Sequence, residues 1–313
     1  MDDGRPSAAT GARRPRRALW TGLAVTFALG AVVVGAWALR PGEPAASVSP
    51  GDTPTPTEAA SAPMTPSAAP TPTPAGFPAN TTAYDVLALP QVDVFAVIPS
   101  LPVDDDPFGS FTGEVARSLY DAAPVFADPL GEPVGALPRA YVFDGTTVPI
   151  VERQDHWVKV LLTGRQAYPS QGNPAQVTGW LRTQDVVILP IDTRVEVSIS
   201  ARTVDIVSTS GTERVATDFA WGTEATPTPL GRSFVMLIRT DSALWYTRGN
   251  PLVYLSVQSP TLDGFAGASV AVTAFHYHDD RSGRISNGCI RLDPGAIARL
   301  AQLALGTPVY IRA

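Results

Sequence analysis

The 31 prolines of this 313-residue chain are densest between Arg40 and Asn80, and that distribution limits what can fold more than any other feature does. Residues 41 to about 80, including Thr53-Pro54-Thr55-Pro56-Thr57 and Thr71-Pro72-Thr73-Pro74, are Pro, Thr, Ala and Ser with almost no side chain able to pack. Burial there cannot offset the conformational entropy of ordering the backbone, so residues 40–80 are expected to form an extended, disordered linker. In polyproline II form it would reach on the order of 100 Å. A hydrophobic core has to come from the residues after Asn80.

The segment before the linker reads as a membrane signal. Residues Ala18 to Leu39 are an uncharged apolar run of about the length that crosses a bilayer as a helix. Arg13, Arg14, Arg16 and Arg17 come just before it, which places residues 1–17 in the cytoplasm and everything after Arg40 outside. Ala36-Trp37-Ala38 also has the small-x-small form of a signal-peptide cleavage site. The run is longer than a typical signal core, which favours a single-pass anchor over cleavage and secretion. It lacks the polar face of a core helix. Six arginines and two acids lie in residues 1–40, leaving 17 basic against 27 acidic residues in the remainder, so nucleic acid is not an expected partner.

The remainder is patterned as short strands. Residues 81–111 hold apolar pairs broken by prolines and are expected to be a partly ordered extension. From 112 to 190, short apolar runs separated by turn residues predict a small barrel or sandwich. Residues 192–313 alternate through Val195–Ser200 and Thr203–Thr209, with Ser210-Gly211 marking a hairpin. Only the run from Asp293 to Leu305 has helical spacing, with Asp293 placed to cap and Pro294 in the first turn. The fold class is therefore mainly β with one short helix.

The chemistry concentrates near the end. Ser286-Asn287-Gly288-Cys289-Ile290-Arg291-Leu292 holds the single cysteine, and Phe275-His276-Tyr277-His278 holds two of the three histidines. A thiol needs a nearby base to act as a nucleophile at neutral pH. A glycine before it permits a sharp turn and leaves backbone N–H groups facing a developing oxyanion. An isolated cysteine is more often a small buried hydrophobe, and His276, His278, Asp279 and Cys289 are also possible zinc ligands. There is no second Cys or His cluster, so no metal and no cofactor is expected.

The string Ile285–Leu292, followed by a helix-like run and Gly306–Ile311, resembles the signature of L,D-transpeptidases, which usually reads Ser-His-Gly-Cys with a histidine upstream at a strand end. The likeness extends back to about Val195 and includes Thr226-Pro227-Thr228-Pro229-Leu230-Gly231. Asn287 stands where most members carry a second histidine, and the span from His276 to Cys289 is a few residues shorter than usual. Separately, Asp155-His156-Trp157 and Gly179-Trp180-Leu181 look like parts of a bacterial SH3-like module. Trp157 and Trp180 are read equally as core and as ligand platforms.

The transpeptidase resemblance implies a β-sandwich with a short helix. It also implies a Cys289 thioester on the third residue of a peptidoglycan tetrapeptide stem, resolved by a neighbouring amine into a 3-3 cross-link of the cell wall. His276 is the preferred base, with His278 as the alternative, and the Gly288 and Cys289 amides are the expected oxyanion donors. Ser286 and Asn287 would support the turn. Arg291, Tyr254 and Trp245 are the expected substrate contacts. An anchored wall-binding protein with a degenerate site is the competing reading.

Overall fold

The computed structural model describes residues 76–313. The apolar run 18–39 and most of the 40–80 linker lie outside them, and among the described residues no helix is long and apolar enough to cross a membrane. These residues fall within one unit running from Ala68 to Ala313.

Seven strands come after the extension: β1 (Glu114–Ser118), β2 (Ala122–Phe126), β3 (Pro133–Pro138), β4 (Thr147–Arg153), β5 (Trp157–Leu162), β6 (Val177–Arg182) and β7 (Val186–Pro190). They form one sheet in the order β3-β2-β6-β5-β4-β1-β7. Strand β4 is shared, pairing with β1 around Thr147–Pro149 and with β5 from Ile150 to Arg153. The extension is more than partly ordered. Val92, Val94, Ile98 and Leu101 are buried in the same core as Val125, Leu137 and Val160, because these apolar residues fall where the chain crosses the sheet.

Trp157 and Trp180 are core residues and not open platforms. Phe77 stacks edge-on against Trp180 at 5.6 Å, Tyr84 against Phe126 at 5.6 Å, and Phe126 against Trp157 at 5.1 Å. The Trp157 indole N–H donates to the Pro78 carbonyl at 2.8 Å, which satisfies the one polar atom that burial of the ring would strand. Phe77 and Pro78, assigned by composition to the linker, are thus already part of the folded structure.

Ten more strands make the second sheet: β8 (Arg194–Ser198), β9 (Thr203–Ser208), β10 (Gly211–Ala216), β11 (Ala220–Gly222), β12 (Gly231–Arg239), β13 (Leu252–Gln258), β14 (Val272–Tyr277), β15 (Gly283–Ser286), β16 (Ile290–Leu292) and β17 (Pro308–Arg312). Their order is β10-β9-β8-β17-β12-β13-β14-β16-β11-β15. Strand β12 joins the two halves of this sheet: Gly231–Phe234 pair with β17, while Val235 to Arg239 pair with β13 across a register shift. Phe219, Val235, Phe275, Ile290 and Ile297 belong to one core, and helix α1 (Pro294–Leu300) buries Ala296, Ile297 and Leu300. Asp293 caps that helix, its carboxylate accepting from the Gly295 and Ala296 amides at 2.8 and 3.1 Å. Phe234 and Met236 of β12 point the other way, into the core of the first sheet, so the two sheets share apolar packing.

Candidate active site

Strands β14 and β16 run parallel, with Phe275 opposite Ile290 and His276 opposite Arg291. This register sets Cys289, the residue before β16, beside β14. The chain reaches it through a bend at Gly288, whose φ of +110° is accessible without strain only to glycine. Ser286 fastens the bend from inside: its Oγ accepts from the Gly288 amide at 3.1 Å and donates to the Cys289 carbonyl at 2.5 Å. The Thr-Pro-Thr-Pro turn supports it from below. Both the Thr223 amide and the Thr226 hydroxyl donate to the Ser286 carbonyl, at 3.0 and 3.2 Å. Thr228 Oγ1 in turn accepts from the Gly222 amide at 2.9 Å.

The bend opens into a cavity of about 240 Å³ lined by Tyr246, Phe265, His276, His278, Ser286, Asn287, Cys289 and Arg291. His276 is buried, and its Nδ1 lies 2.8 Å from the Tyr277 carbonyl oxygen. Burial lowers its pKa to about 4, with smaller contributions from Arg291 and His278 and an opposing one from the Tyr277 hydrogen bond. The imidazole is therefore neutral at pH 7. Nδ1 donates its proton to the carbonyl, and Nε2 is left as an acceptor. His278 lies just past the end of β14. Its Nδ1 accepts from the Asp280 amide at 2.9 Å, and its ring centre is 6.4 Å from that of His276. Tyr246 packs against both rings, at 5.4 and 5.7 Å.

Cys289 is half-buried as a residue, with its thiol on the buried side, and Sγ lies 3.8 Å from the Val272 carbonyl. Burial raises the thiol pKa above its ordinary value, opposed by the Ala274 backbone and by Arg291. Sγ and the two imidazoles share the cavity but are not hydrogen-bonded in this arrangement; the sulfur is turned towards β14.

The sequence expectations fare unevenly here. The Gly288 amide, expected to face an oxyanion, is already occupied by Ser286 Oγ. Asn287 is exposed at the rim. Arg291 borders the cavity, its Nη1 donating to the Asp280 carbonyl at 3.3 Å while its buried Nε has no partner. Tyr254 sits in β13 opposite Ala274, packed against the core of the first sheet, and Trp245 is 73% exposed; neither lines the cavity. The aromatic side chains that do line it are Tyr246 and Phe265, beside His276 and His278. The short Asp241–Asn250 connection carries Trp245 outward and Tyr246 inward. Phe265, in the glycine-flanked string Asp263-Gly264-Phe265-Ala266-Gly267, offers an aromatic in a loop as its only signal. Among the described residues, no three of His, Cys, Asp and Glu are grouped to hold a metal ion. Asp279 is engaged by Arg248 and Tyr277 at 2.7 Å each.

Residues 192–311 match the family model of the L,D-transpeptidase catalytic domain (YkuD). That match covers about two fifths of the chain and contains every residue of the cavity. No curated protein matches the chain. Solved structures similar to parts of it include an L,D-transpeptidase from Mycobacterium smegmatis, at 14% identity and a TM-score of 0.29, covering 50% of this chain and 91% of that one. An L,D-transpeptidase from Enterococcus faecium aligns at 23% identity and a TM-score of 0.28, covering 40% of this chain and 55% of that one. L,D-transpeptidase 3 from Mycobacterium tuberculosis aligns at 13% identity and 0.28, covering 50% and 92%. The chain thus spans about half the length of the E. faecium protein.

Proposed function

We propose that this protein is a peptidoglycan L,D-transpeptidase that forms a thioester between Cys289 and the third residue of a tetrapeptide stem, expelling the terminal D-alanine, and passes the acyl group to a neighbouring stem amine to make a 3-3 cross-link. The observation that carries this reading is the cavity that gathers the single cysteine, two imidazoles, a tyrosine and an arginine at a sharp glycine bend, inside the matched domain.

With the thiol pKa raised and the His276 pKa lowered, the resting pair is neutral. In the proposed reaction Cys289 Sγ rotates from the Val272 carbonyl towards the His276 imidazole. His276 Nε2 takes its proton as the sulfur attacks and later returns a proton to the leaving amine. With the Gly288 amide engaged by Ser286, the Cys289 amide is the oxyanion donor we assign. The substrate lies outside the cytoplasm, consistent with the apolar run and linker at the N-terminus of the sequence. The first sheet, within residues 112–190, is assigned, by its resemblance in sequence, as an SH3-like module.

Asn287 and the shortened span from His276 to Cys289 motivate one rival, an anchored wall-binding protein whose catalytic domain has degenerated. Incubation of the full chain with a carbapenem, followed by intact-protein mass, separates the two. A stoichiometric adduct that is absent in Cys289→Ala supports the enzyme. An unmodified native chain, under conditions where a control transpeptidase is fully acylated, supports the rival. Muropeptide analysis of walls made with and without the thiol then tests the 3-3 linkage.

A further inference from the structure

Two loops from different sheets meet beside the cysteine cavity. One is the lid, residues 259–271, which joins β13 to β14 and supplies Phe265 as a cavity wall. Its tip turns through Ala266 (φ 51°) and Gly267 (φ 86°), with the Phe265 amide donating to the Ala268 carbonyl at 3.1 Å. The other is residues 163–176, which joins β5 to β6 in the first sheet.

Arg165 of the second loop is 2% exposed. Its Nη2 donates to the Asp263 and Ser269 carbonyls at 2.5 and 2.7 Å, one on each side of the lid tip. The Asp263 carboxylate accepts two more bonds from the same loop, from the Ser170 amide at 3.0 Å and the Ser170 hydroxyl at 2.5 Å. The Tyr168 ring lies 4.2 Å from the guanidinium, and Nη1 has no partner. The backbone of Arg165 is itself fixed, its amide donating to the Ala96 carbonyl and its carbonyl accepting from Ile98, both at 3.0 Å.

A desolvated guanidinium with no carboxylate in direct contact depends on carbonyl dipoles for the solvation it has lost. Both carbonyls that Nη2 reaches belong to the lid, so raising the lid would leave the cation only the Tyr168 side chain of its own loop. The base of the lid is anchored, with Ser259 and Ala271 buried and the Thr261 hydroxyl donating to the Ala225 carbonyl at 2.9 Å, but its tip, residues 265–269, is exposed and belongs to neither core.

We infer that Arg165, together with Ser170, is a positioning residue through which the first sheet sets the lid and hence the Phe265 wall beside Cys289. The consequence for acyl transfer rests on the proposed transpeptidase function; the control of the lid does not.

The test uses the full chain carrying Arg165→Ala, Ser170→Ala, Asp263→Asn, or the last two together. Three quantities are read: hydrogen–deuterium exchange over residues 262–270, the rate of Cys289 alkylation by iodoacetamide, and acylation by a carbapenem. Exchange and alkylation should each rise on the order of tenfold in the Arg165 and Ser170 variants, the effect of losing one or two charge-assisted hydrogen bonds. Acylation should weaken mainly through the concentration dependence and little through the maximal rate. Ser170→Ala and Asp263→Asn should be non-additive. Because Ser170 and Asp263 are exposed, these variants keep the measurement open if Arg165→Ala fails to fold. Unchanged exchange and alkylation in both would overturn the inference even if acylation proceeds normally. Absence of acylation in the native chain, with exchange and alkylation responding as expected, would overturn the function and leave the lid control standing.

Discussion

The His276 imidazole is oriented by the carbonyl of its own chain neighbour: Nδ1 lies 2.8 Å from the Tyr277 oxygen. That bond fixes one tautomer, while burial lowers the pKa from 6.5 to about 4. The acid limb of the acylation rate should accordingly fall with a midpoint near pH 4 and not near 6.5. The same shift affects folding. The unfolded chain binds the extra proton first, so stability is full above pH 6.5 and declines as pH falls towards 4, by on the order of 3 kcal/mol. His276→Gln should abolish acylation and flatten that part of the stability profile. Urea denaturation at about pH 7 and about pH 4.5, for both proteins, checks it; an equal pH response in the two would show that the imidazole titrates as if solvated.

The Ser286 hydroxyl bridges the cysteine bend, between the Gly288 amide and the Cys289 carbonyl. Ser286→Ala leaves both groups without that partner and should cost about 1–3 kcal/mol of stability. Acylation should fall by roughly tenfold to a hundredfold, because the sulfur loses its fixed approach. Equilibrium unfolding and carbapenem acylation kinetics measure the two effects. Preserved stability would mean that the bend is held by the Thr223 and Thr226 contacts.

Gly288→Ala separates backbone strain from crowding. A Cβ there would lie 3.4 Å from the Pro227 carbonyl, an ordinary contact, but the φ of +110° is unfavourable for any residue with a side chain. The expected penalty is about 1–3 kcal/mol, met partly by a shifted Cys289. A crystal structure of the variant, together with its acylation rate, should show the sulfur displaced and the rate reduced by about tenfold or more. Unaltered kinetics would remove the bend from the proposed mechanism.

The cysteine bend, the paired histidines and the capped helix are legible in the sequence because each leaves a local mark: a glycine before a lone thiol, two imidazoles two residues apart, and Asp-Pro opening a helical run. The hairpin at Ser210-Gly211 is legible from period-two alternation. The hidden part is tertiary. Trp245 and Tyr246 are adjacent aromatics, and only the turn geometry decides which faces His276. The prolines among residues 81–111 weaken strand pairing without preventing Val92, Val94, Ile98 and Leu101 from packing, so the segment reads as less ordered than it is. The engagement of the Gly288 amide by Ser286 depends on a side-chain rotamer that no spacing encodes.

The deepest ion pair in the described structure joins segments that are far apart in sequence. Arg232 of β12 donates through Nε and Nη2 to the two carboxylate oxygens of Asp104, at 2.8 Å each, and both side chains are almost fully buried. Arg232 Nη1 also donates to the Ser110 carbonyl at 3.2 Å. Asp104→Ala would leave the guanidinium buried without its counter-charge and should destabilise the protein by about 3–5 kcal/mol. Removing both charges with Asp104→Leu and Arg232→Met should recover most of that, since replacing a buried pair by apolar groups of similar volume is often neutral. Because the pair ties the extension to the strand that links the two halves of the second sheet, proteolysis of Asp104→Ala should begin within residues 100–112. Chemical denaturation of the single and double variants, with limited proteolysis of each, decides it. A single variant as stable as the native chain would show that water reaches Arg232 and that the extension is held by its apolar residues alone.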